Sequence, residues 1–166
     1  MPGYLDIWGF RNLSLYLSEF GGGPFRVVYH PTPGKLEASG KETNARRWEL
    51  EQVCRMALAL GEMVLCLDEV WWFTEPGWMP DELAEVVLMG RTAGVTLIYT
   101  AQRPQIVASD LRACTTHYNV FRIQSPLDLQ AIKGWLPEEP FPEIPNLPDR
   151  SYIWRDEQNR WGRAGG

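Results

Sequence analysis

The pattern of apolar and polar positions along the chain alternates between two kinds of segment. Residues 63–67 (MVLCL) and 95–101 (VTLIYTA) are largely apolar runs, which are typical of strands buried on both faces of a parallel sheet. Residues 45–61 and 81–94 instead carry apolar side chains at helical spacing, and each of these segments ends at a glycine. Strands that alternate with helices predict an α/β fold, in which helices sandwich a mostly parallel sheet.

Shorter segments complete this pattern. Residues 13–20 and the segment after the N-cap residue Ser125 predict helices, whereas residues 25–30 and 118–123 predict strands. We therefore expect the helix and strand alternation to continue on both sides of the two apolar runs.

The C-terminal part of the chain has a different composition. Five prolines lie between Pro137 and Pro148, which predicts an extended tether over 137–148. Residues 151–163 have apolar groups on both sides of a polar turn, which predicts a β-hairpin. The 166-residue length favours one domain over 1–166, with the proline-rich tether leading to that hairpin.

Composition and charge narrow the class of protein. The chain is 45% hydrophobic and 22% charged, which favours a globular domain over disorder. The net charge of −5 gives no overall positive field, so contact with DNA would need a local patch or a ring of patches built by oligomerisation. The three isolated cysteines, the lack of a signal peptide and the lack of a long apolar stretch predict a cytoplasmic protein without a membrane partner.

Two acids directly follow the first apolar run. Asp68 and Glu69 would emerge at the carboxyl end of a parallel strand, where ligand crevices form. In nucleotide hydrolases with a phosphate-binding loop, the first acid of such a pair helps to hold Mg²⁺ and the second polarises the attacking water. The alternative interpretation is a solvated strand end with helix-capping acids.

Polar residues also follow the second apolar run. Thr100, Gln102 and Arg103 would lie at the same end of the same sheet, where Gln102 could contact a γ-phosphate or orient a water. The alternative is a polar loop closed by Pro104. Arg91, near the end of the preceding helix, could reach a phosphate across a subunit interface, or could only complement the helix dipole.

These pieces together carry a family resemblance. The segments MVLCLDEVWWF, LMGRTAGVTLIYTAQRPQIVASDLRACTTHYNVFRI and SPLDL resemble the HerA/FtsK branch of P-loop (ASCE) ATPases, which includes DNA-translocation and viral genome-packaging ATPases. Zonula-occludens-toxin-like ATPases of filamentous phages are also similar. In that branch a strand ending in DE precedes an RxxG segment and a strand ending in TQRP, which here reads TAQRP and is one residue longer.

The resemblance implies a RecA/P-loop NTPase-like fold and a set of roles. Asp68 would bind Mg²⁺, Glu69 would be the catalytic base and Gln102 the polar sensor. Arginines that could act on a neighbouring subunit's nucleotide are Arg91, Arg103, Arg112 and Arg122. The implied cofactors are ATP and Mg²⁺, and the implied assembly is a homo-oligomeric ring. Implied partners are double-stranded DNA and other assembly or capsid proteins, in the host cytoplasm if the chain is viral.

The family's phosphate-binding loop, G-x-x-x-x-G-K-[ST], has no match in this chain. In residues 3–14 the glycines are too far apart and Phe10 stands where lysine belongs, so Arg11 could only be a stand-in. In residues 34–43, Lys41 and Thr43 are separated by an acid that would repel phosphate, and a flexible surface loop is the preferred interpretation. The chain either lost the loop and kept the fold, or continues upstream.

Two functions remain open from the sequence. One is an ATPase subunit of a DNA-translocating or genome-packaging motor that hydrolyses ATP with Mg²⁺ in an oligomeric ring. The other is a non-catalytic protein of the same fold, acting as a structural or interaction module. The Trp-rich segment 70–79 is a candidate partner surface for the second function, or a loop folded back onto the core.

Overall fold

The computed structural model of the protein describes residues 4–19, 24–31 and 43–165. Its strands and helices in chain order are β1 (Leu5–Trp8), α1 (Phe10–Glu19), β2 (Val27–His30), α2 (Thr43–Leu60), β3 (Met63–Leu67), α3 (Asp81–Ala93), β4 (Val95–Tyr99), α4 (Ser109–Ala113), β5 (Tyr118–Phe121), α5 (Pro126–Ile132), β6 (Tyr152–Arg155) and β7 (Trp161–Ala164). Short 3₁₀ helices cover Val70–Trp72, Pro104–Ile106 and Phe141–Asn146.

The described residues fall into two compact units. The first takes its residues from Met1–Cys66 and Pro80–Ile98, and the second from Leu67–Met79 and Tyr99–Gly166. The single domain over 1–166 stays a prediction.

In the first unit α2 and α3 pack against each other through small and branched side chains. On α2 the buried residues Leu50, Cys54 and Ala57 recur at helical spacing, and on α3 Leu83 and Val86 do the same. In this unit β1 and β2 pair in parallel, with Leu5 opposite Val27 and Trp8 opposite His30. The helical periodicity predicted from the sequence is therefore confirmed for both helices.

Strands β3 and β4 form a second pair, and they run in the same direction. The Met63 N–H donates to the Gly94 carbonyl at one end, and the Thr100 N–H donates to the Leu67 carbonyl at the other. Because the partners advance together along both strands, the pair is parallel. The bounds of β3 are those predicted from the apolar run MVLCL.

The second unit contains an antiparallel sheet in the order β5-β6-β7. Strands β6 and β7 form the predicted C-terminal hairpin, and β5 pairs with β6 so that Tyr118 lies opposite Arg155. Strand β5 buries Val120 between exposed neighbours, an alternation typical of a strand with one solvated face. The described part of the chain thus shows sheets of two, two and three strands, and the continuous helix-covered parallel sheet is not observed there.

The predicted tether over 137–148 is wrong. Residues Phe141–Asn146 form a 3₁₀ helix, and Ile144 and Leu147 are buried in one apolar cluster with residues of the sheet and of α5. Proline fixes φ near the value that a 3₁₀ turn needs, so a proline-rich segment can fold compactly when apolar residues three apart face one side. The apolar residues between the prolines therefore determine the structure here.

Gly94 ends α3 in a conformation that other residues adopt at a cost. Its φ is +75°, and a Cβ added there would lie 2.7 Å from Glu62 Oε1 and 3.0 Å from the Glu62 nitrogen. We expect Gly94→Ala to lower the free energy of unfolding by about 1–2 kcal/mol in urea titrations. Gly77→Ala is the matched control, because nothing lies within 4 Å of its added Cβ. Equal urea midpoints for the two variants would contradict the left-handed conformation of Gly94 and its close approach to Glu62.

The three cysteines differ in accessibility. Cys54 is fully buried on α2, whereas Cys66 and Cys114 are exposed. Burial, followed by the charges of Glu82 and Glu51, raises the pKa of the Cys54 thiol to about 12, so this thiol stays protonated near pH 8. We expect two thiols of the folded chain to react with an aromatic disulfide reagent at pH 8, and the third to react only in denaturant. If the slowly reacting thiol is missing from Cys54→Ser, that thiol belongs to Cys54. Rapid reaction of all three thiols in the folded chain would contradict the burial of Cys54 on α2.

Candidate functional site

The two acids and Thr100 form one hydrogen-bonded group at the carboxyl ends of β3 and β4. The Thr100 hydroxyl donates to Asp68 Oδ1 at 2.5 Å and accepts the Glu69 backbone N–H at 2.9 Å. The backbone is tied at the same place, because the Val70 N–H donates to the Thr100 carbonyl at 2.9 Å. The structure therefore brings Asp68 and Glu69 to the end of the strand pair, beside the neighbouring strand.

Glu69 has an unusual backbone conformation for a residue with a side chain. Its φ of 53° and ψ of 56° lie in the left-handed region, which costs about 1–3 kcal/mol. Its carboxylate Oε2 accepts the Gln102 backbone N–H at 3.2 Å and also the indole N–H of Trp71. Gln102 is thus adjacent to Glu69 through its backbone, and its exposed side chain is not part of that contact.

Arg103 is anchored to a buried carboxylate that the sequence analysis did not single out. Its Nε lies 3.3 Å from Asp128 Oδ2, and Asp128 is only 2% exposed. The Gln105 N–H donates to the other oxygen of Asp128 at 3.3 Å, and the Asp128 N–H donates to the Ser125 hydroxyl at 3.4 Å. Ser125 is the predicted N-cap of α5, and the S-x-x-D spacing is the sequence signal that could have pointed to Asp128.

The other candidate arginines lie in different surroundings. Arg112 donates to the Ala131 carbonyl at 3.4 Å and lies over the Trp135 ring, so it contributes to the interior of its own unit. Arg122 is paired with Asp149 at 2.6 Å. Arg91 is exposed in the last turn of α3 and belongs to the first unit, whereas Glu69 belongs to the second. The role of each arginine on a nucleotide stays a prediction.

The first candidate phosphate loop is a tight turn. Strand β1 ends at Trp8, Gly9 has a φ of 76°, and α1 begins at Phe10. The Gly9 N–H donates to the His30 carbonyl at 2.9 Å, and the Gly9 carbonyl accepts the N–H groups of Asn12 and Leu13. A phosphate cradle needs several free N–H groups along a longer loop. This turn offers a single residue between strand and helix, so it does not form such a cradle.

Arg11 lines an aromatic cavity of about 470 Å³ together with Trp8, Phe10 and Trp48. The buried acid Glu49 also lines it, which places a carboxylate where a phosphate would need positive charge. Glu49 accepts the Tyr29 hydroxyl at 2.5 Å, and burial together with this acid raises the pKa of Tyr29. A nucleotide-binding role for Arg11 stays a prediction.

The second candidate loop, residues 34–43, lies almost entirely outside the described residues. Lys41 lies outside the described residues, and Thr43 is described only as the first residue of α2. Their predicted contact with a nucleotide therefore also stays a prediction.

The Trp-rich segment 70–79 is partly folded back and partly exposed. Val70 is fully buried, and the Thr74 hydroxyl is buried and accepts the Ala108 N–H at 3.4 Å. Trp71 and Trp72 stack with ring centroids 4.5 Å apart, and Trp72 is 55% exposed. Val70 and Thr74 thus fit the interpretation as a loop folded back onto the core, and Trp72 has the exposure that the partner-surface interpretation requires.

Within residues 4–19, 24–31 and 43–165, no group of three or more histidine, cysteine, aspartate or glutamate side chains could hold a metal ion. None of the helices in these ranges is long and apolar enough to cross a membrane.

The α/β fold is similar to that of viral genome-packaging NTPases. One such structure is the genome packaging NTPase B204 from Sulfolobus turreted icosahedral virus 2 in complex with sulfate, with a TM-score of 0.64 and 19% identity over 96% of this chain and 80% of that chain. The same protein in complex with AMPPCP has a TM-score of 0.64 and 19% identity over 89% of this chain and 69% of that chain. B204, the DNA-packaging ATPase from Sulfolobus turreted icosahedral virus, has a TM-score of 0.64 and 20% identity over 96% of this chain and 80% of that chain.

Identities this low show a shared fold and no more. No protein-family model and no curated protein matches the chain. The fold likeness therefore supports the α/β fold that the family resemblance implies, and the assignments to viral packaging and to the HerA/FtsK branch stay predictions.

Proposed function

We propose that this chain is the ATP-hydrolysing subunit of a viral genome-packaging motor or of a related DNA translocase. The observation that carries the proposal is the hydrogen-bonded group of Asp68, Thr100 and Glu69 at the carboxyl ends of two parallel strands. Nucleotide hydrolases need their acids at this place, beside the strand that carries a polar sensor. Support also comes from the fold, since B204 structures contain AMPPCP and ATP-γS.

The donor set of Asp68 fits Mg²⁺. Asp68 is exposed, and while its Oδ1 accepts the Thr100 hydroxyl, its Oδ2 has no hydrogen-bond partner among the described residues. A single carboxylate together with waters and phosphate oxygens is an ordinary ligand set for this hard cation. Bound there, Mg²⁺ would neutralise charge on the phosphates of ATP.

Glu69 has the chemistry that the attacking water needs. Its carboxylate can accept a proton from that water as the oxygen attacks the γ-phosphorus and the bond to the β–γ bridging oxygen breaks, with ADP as the leaving group. The hydrogen bonds from Gln102 and Trp71 hold the carboxylate in one orientation. The Gln102 side chain, exposed beside Glu69, would contact the γ-phosphate or the water.

The proposed assembly is a homo-oligomeric ring. Arg91 is exposed at the end of α3, so it could reach the nucleotide of a neighbouring subunit and stabilise transition-state charge. A ring would also gather weak contacts to double-stranded DNA around a pore, which suits a subunit with a net charge of −5. Other assembly or capsid proteins would complete the motor in the host cytoplasm.

A specific observation favours a second candidate function. The one-residue turn at Gly9 leaves α1 without a phosphate cradle in front of it. A chain without any working cradle would keep the fold and act as a non-catalytic structural or interaction module. Nucleotide binding separates the two functions, because the module has no site for the triphosphate.

Calorimetry with the whole chain tests this choice. We expect Mg·ATP-γS to bind, and we expect Asp68→Asn to weaken that binding when Mg²⁺ is present and to change it little when EDTA replaces Mg²⁺. Glu75→Gln, an exposed acid in the same segment, is the control and is expected to bind like the wild-type chain. No heat of binding with the wild-type chain would reject the ATPase and favour the module.

A further inference from the structure

The hydrogen bonds of Glu69 distinguish its two carboxylate oxygens. Oε2 accepts both the indole N–H of Trp71 and the Gln102 backbone N–H. Oε1 has no hydrogen-bond partner within the described residues. An indole N–H can only donate, so this contact always needs an accepting oxygen. Glu69 therefore has one oxygen held by the protein and one oxygen left for another partner.

The backbone around Glu69 directs the Trp71 indole to this oxygen. The left-handed conformation of Glu69 begins the 3₁₀ helix Val70–Trp72, in which the Trp72 N–H donates to the Glu69 carbonyl at 3.0 Å. Val70 is fully buried, and its N–H donates to the Thr100 carbonyl. Apolar packing and a backbone hydrogen bond therefore both hold this 3₁₀ helix in place. A residue held in a strained conformation at a candidate site suggests a functional constraint.

We propose that Trp71 is the positioning residue of the proposed catalytic base, Glu69. Its indole N–H fixes Oε2 of Glu69 and so presents Oε1 alone to the attacking water. The inference rests on the proposed function in that it takes Glu69 as the base. Misplacement of a reacting group by about 1 Å can cost about 100-fold in rate, so a donor that holds the carboxylate matters for the chemical step.

The neighbouring tryptophan supplies a matched control. Trp72 stacks on the ring of Trp71 and is mostly exposed, but its indole makes no hydrogen bond to Glu69. Phenylalanine keeps an aromatic ring at either position but lacks the indole N–H, and the accompanying loss of ring area is the same in both variants. Trp71→Phe therefore removes the contact with Glu69, whereas Trp72→Phe preserves it.

Steady-state hydrolysis of Mg·ATP by the whole chain tests the role. We expect Trp71→Phe to lower kcat by about 10- to 100-fold with KM and the urea midpoint unchanged, since only the chemical step uses the orientation of Glu69. Trp72→Phe is expected to stay within about twofold of the wild-type kcat. An unchanged kcat in Trp71→Phe, or an equal loss in both variants, would overturn the positioning role.

A second readout is independent of hydrolysis. Trp71→Phe identifies the indole N–H signal of Trp71 in the ¹H–¹⁵N spectrum, because that signal is missing from the spectrum of this variant. We expect the chemical shift of this signal to change in Glu69→Gln but not in Glu75→Gln. No shift in Glu69→Gln would overturn the contact on which the inference is built. A wild-type chain that hydrolyses no ATP would instead overturn the proposed function, and the positioning role with it.

Discussion

Replacing Glu69 with glutamine is expected to lower kcat for ATP hydrolysis by about 10²- to 10⁴-fold, the usual contribution of a general base. An amide has the shape of the carboxylate but cannot take a proton from the attacking water. Its carbonyl oxygen can still accept the hydrogen bonds that Gln102 and Trp71 donate to Glu69, so the fold should be preserved. Steady-state hydrolysis with saturating Mg·ATP measures the loss.

Two comparisons make the Glu69 experiment specific. Glu75→Gln changes an exposed acid of the same segment and should leave kcat unaltered. Nucleotide affinity should be similar in Glu69→Gln and the wild-type chain, because the base acts on water and not on the bound phosphates. Full activity of Glu69→Gln would show that another group removes the proton.

Replacing Ile144 with alanine is expected to lower the free energy of unfolding by about 2–5 kcal/mol, the range found when large apolar side chains are removed from cores. Ile144 is fully buried in the cluster that joins the proline-rich segment to β5, α5 and β6. Urea titration followed by tryptophan fluorescence measures the change.

Leu127→Ala is the control for the Ile144 experiment. Leu127 is 67% exposed on α5, and substitutions at such positions usually change stability by less than about 0.5 kcal/mol. If residues 137–148 were an extended tether, Ile144→Ala would cost no more than this control. A clear difference between the two variants would establish that the segment belongs to the folded core.

The sequence predicts best those elements whose pattern is local. The apolar run MVLCL predicts the observed bounds of β3, and Gly94 marks the observed end of α3. From the sequence alone, Leu5–Trp8 instead falls within a candidate phosphate loop, because the strand predicted over 25–30 resembles the family's second strand. In the structure LDIW is strand β1, in which only Ile7 is buried. Its pairing with β2 depends on a distant segment, and no local pattern encodes it.

The candidate site likewise has one part that local sequence patterns predict and another part that depends on the folded structure. The parallel direction of β3 and β4 places Asp68 and Glu69 beside the residues after β4, as the order of apolar runs predicts. The contact from Trp71 to Glu69 depends on a left-handed backbone conformation that glutamate rarely adopts, so no sequence rule indicates it. The role of Asp128 depends on long-range packing of α5, although its capping spacing was visible.

Neither candidate loop forms a phosphate cradle within the described residues. The turn at Gly9 has its N–H and carbonyl bonded within the fold, so it cannot wrap a triphosphate. The proposed hydrolysis requires that the γ-phosphate of bound ATP lie next to the acids after β3.

A crystal structure of the whole chain with Mg²⁺ and a non-hydrolysable ATP analogue tests this requirement most directly. We expect the γ-phosphate beside Asp68 and Glu69, with Mg²⁺ reached by Asp68 and a water facing the free oxygen of Glu69. A nucleotide bound away from these acids, or crystals that take up none at saturating concentration, would rule out the proposed hydrolysis.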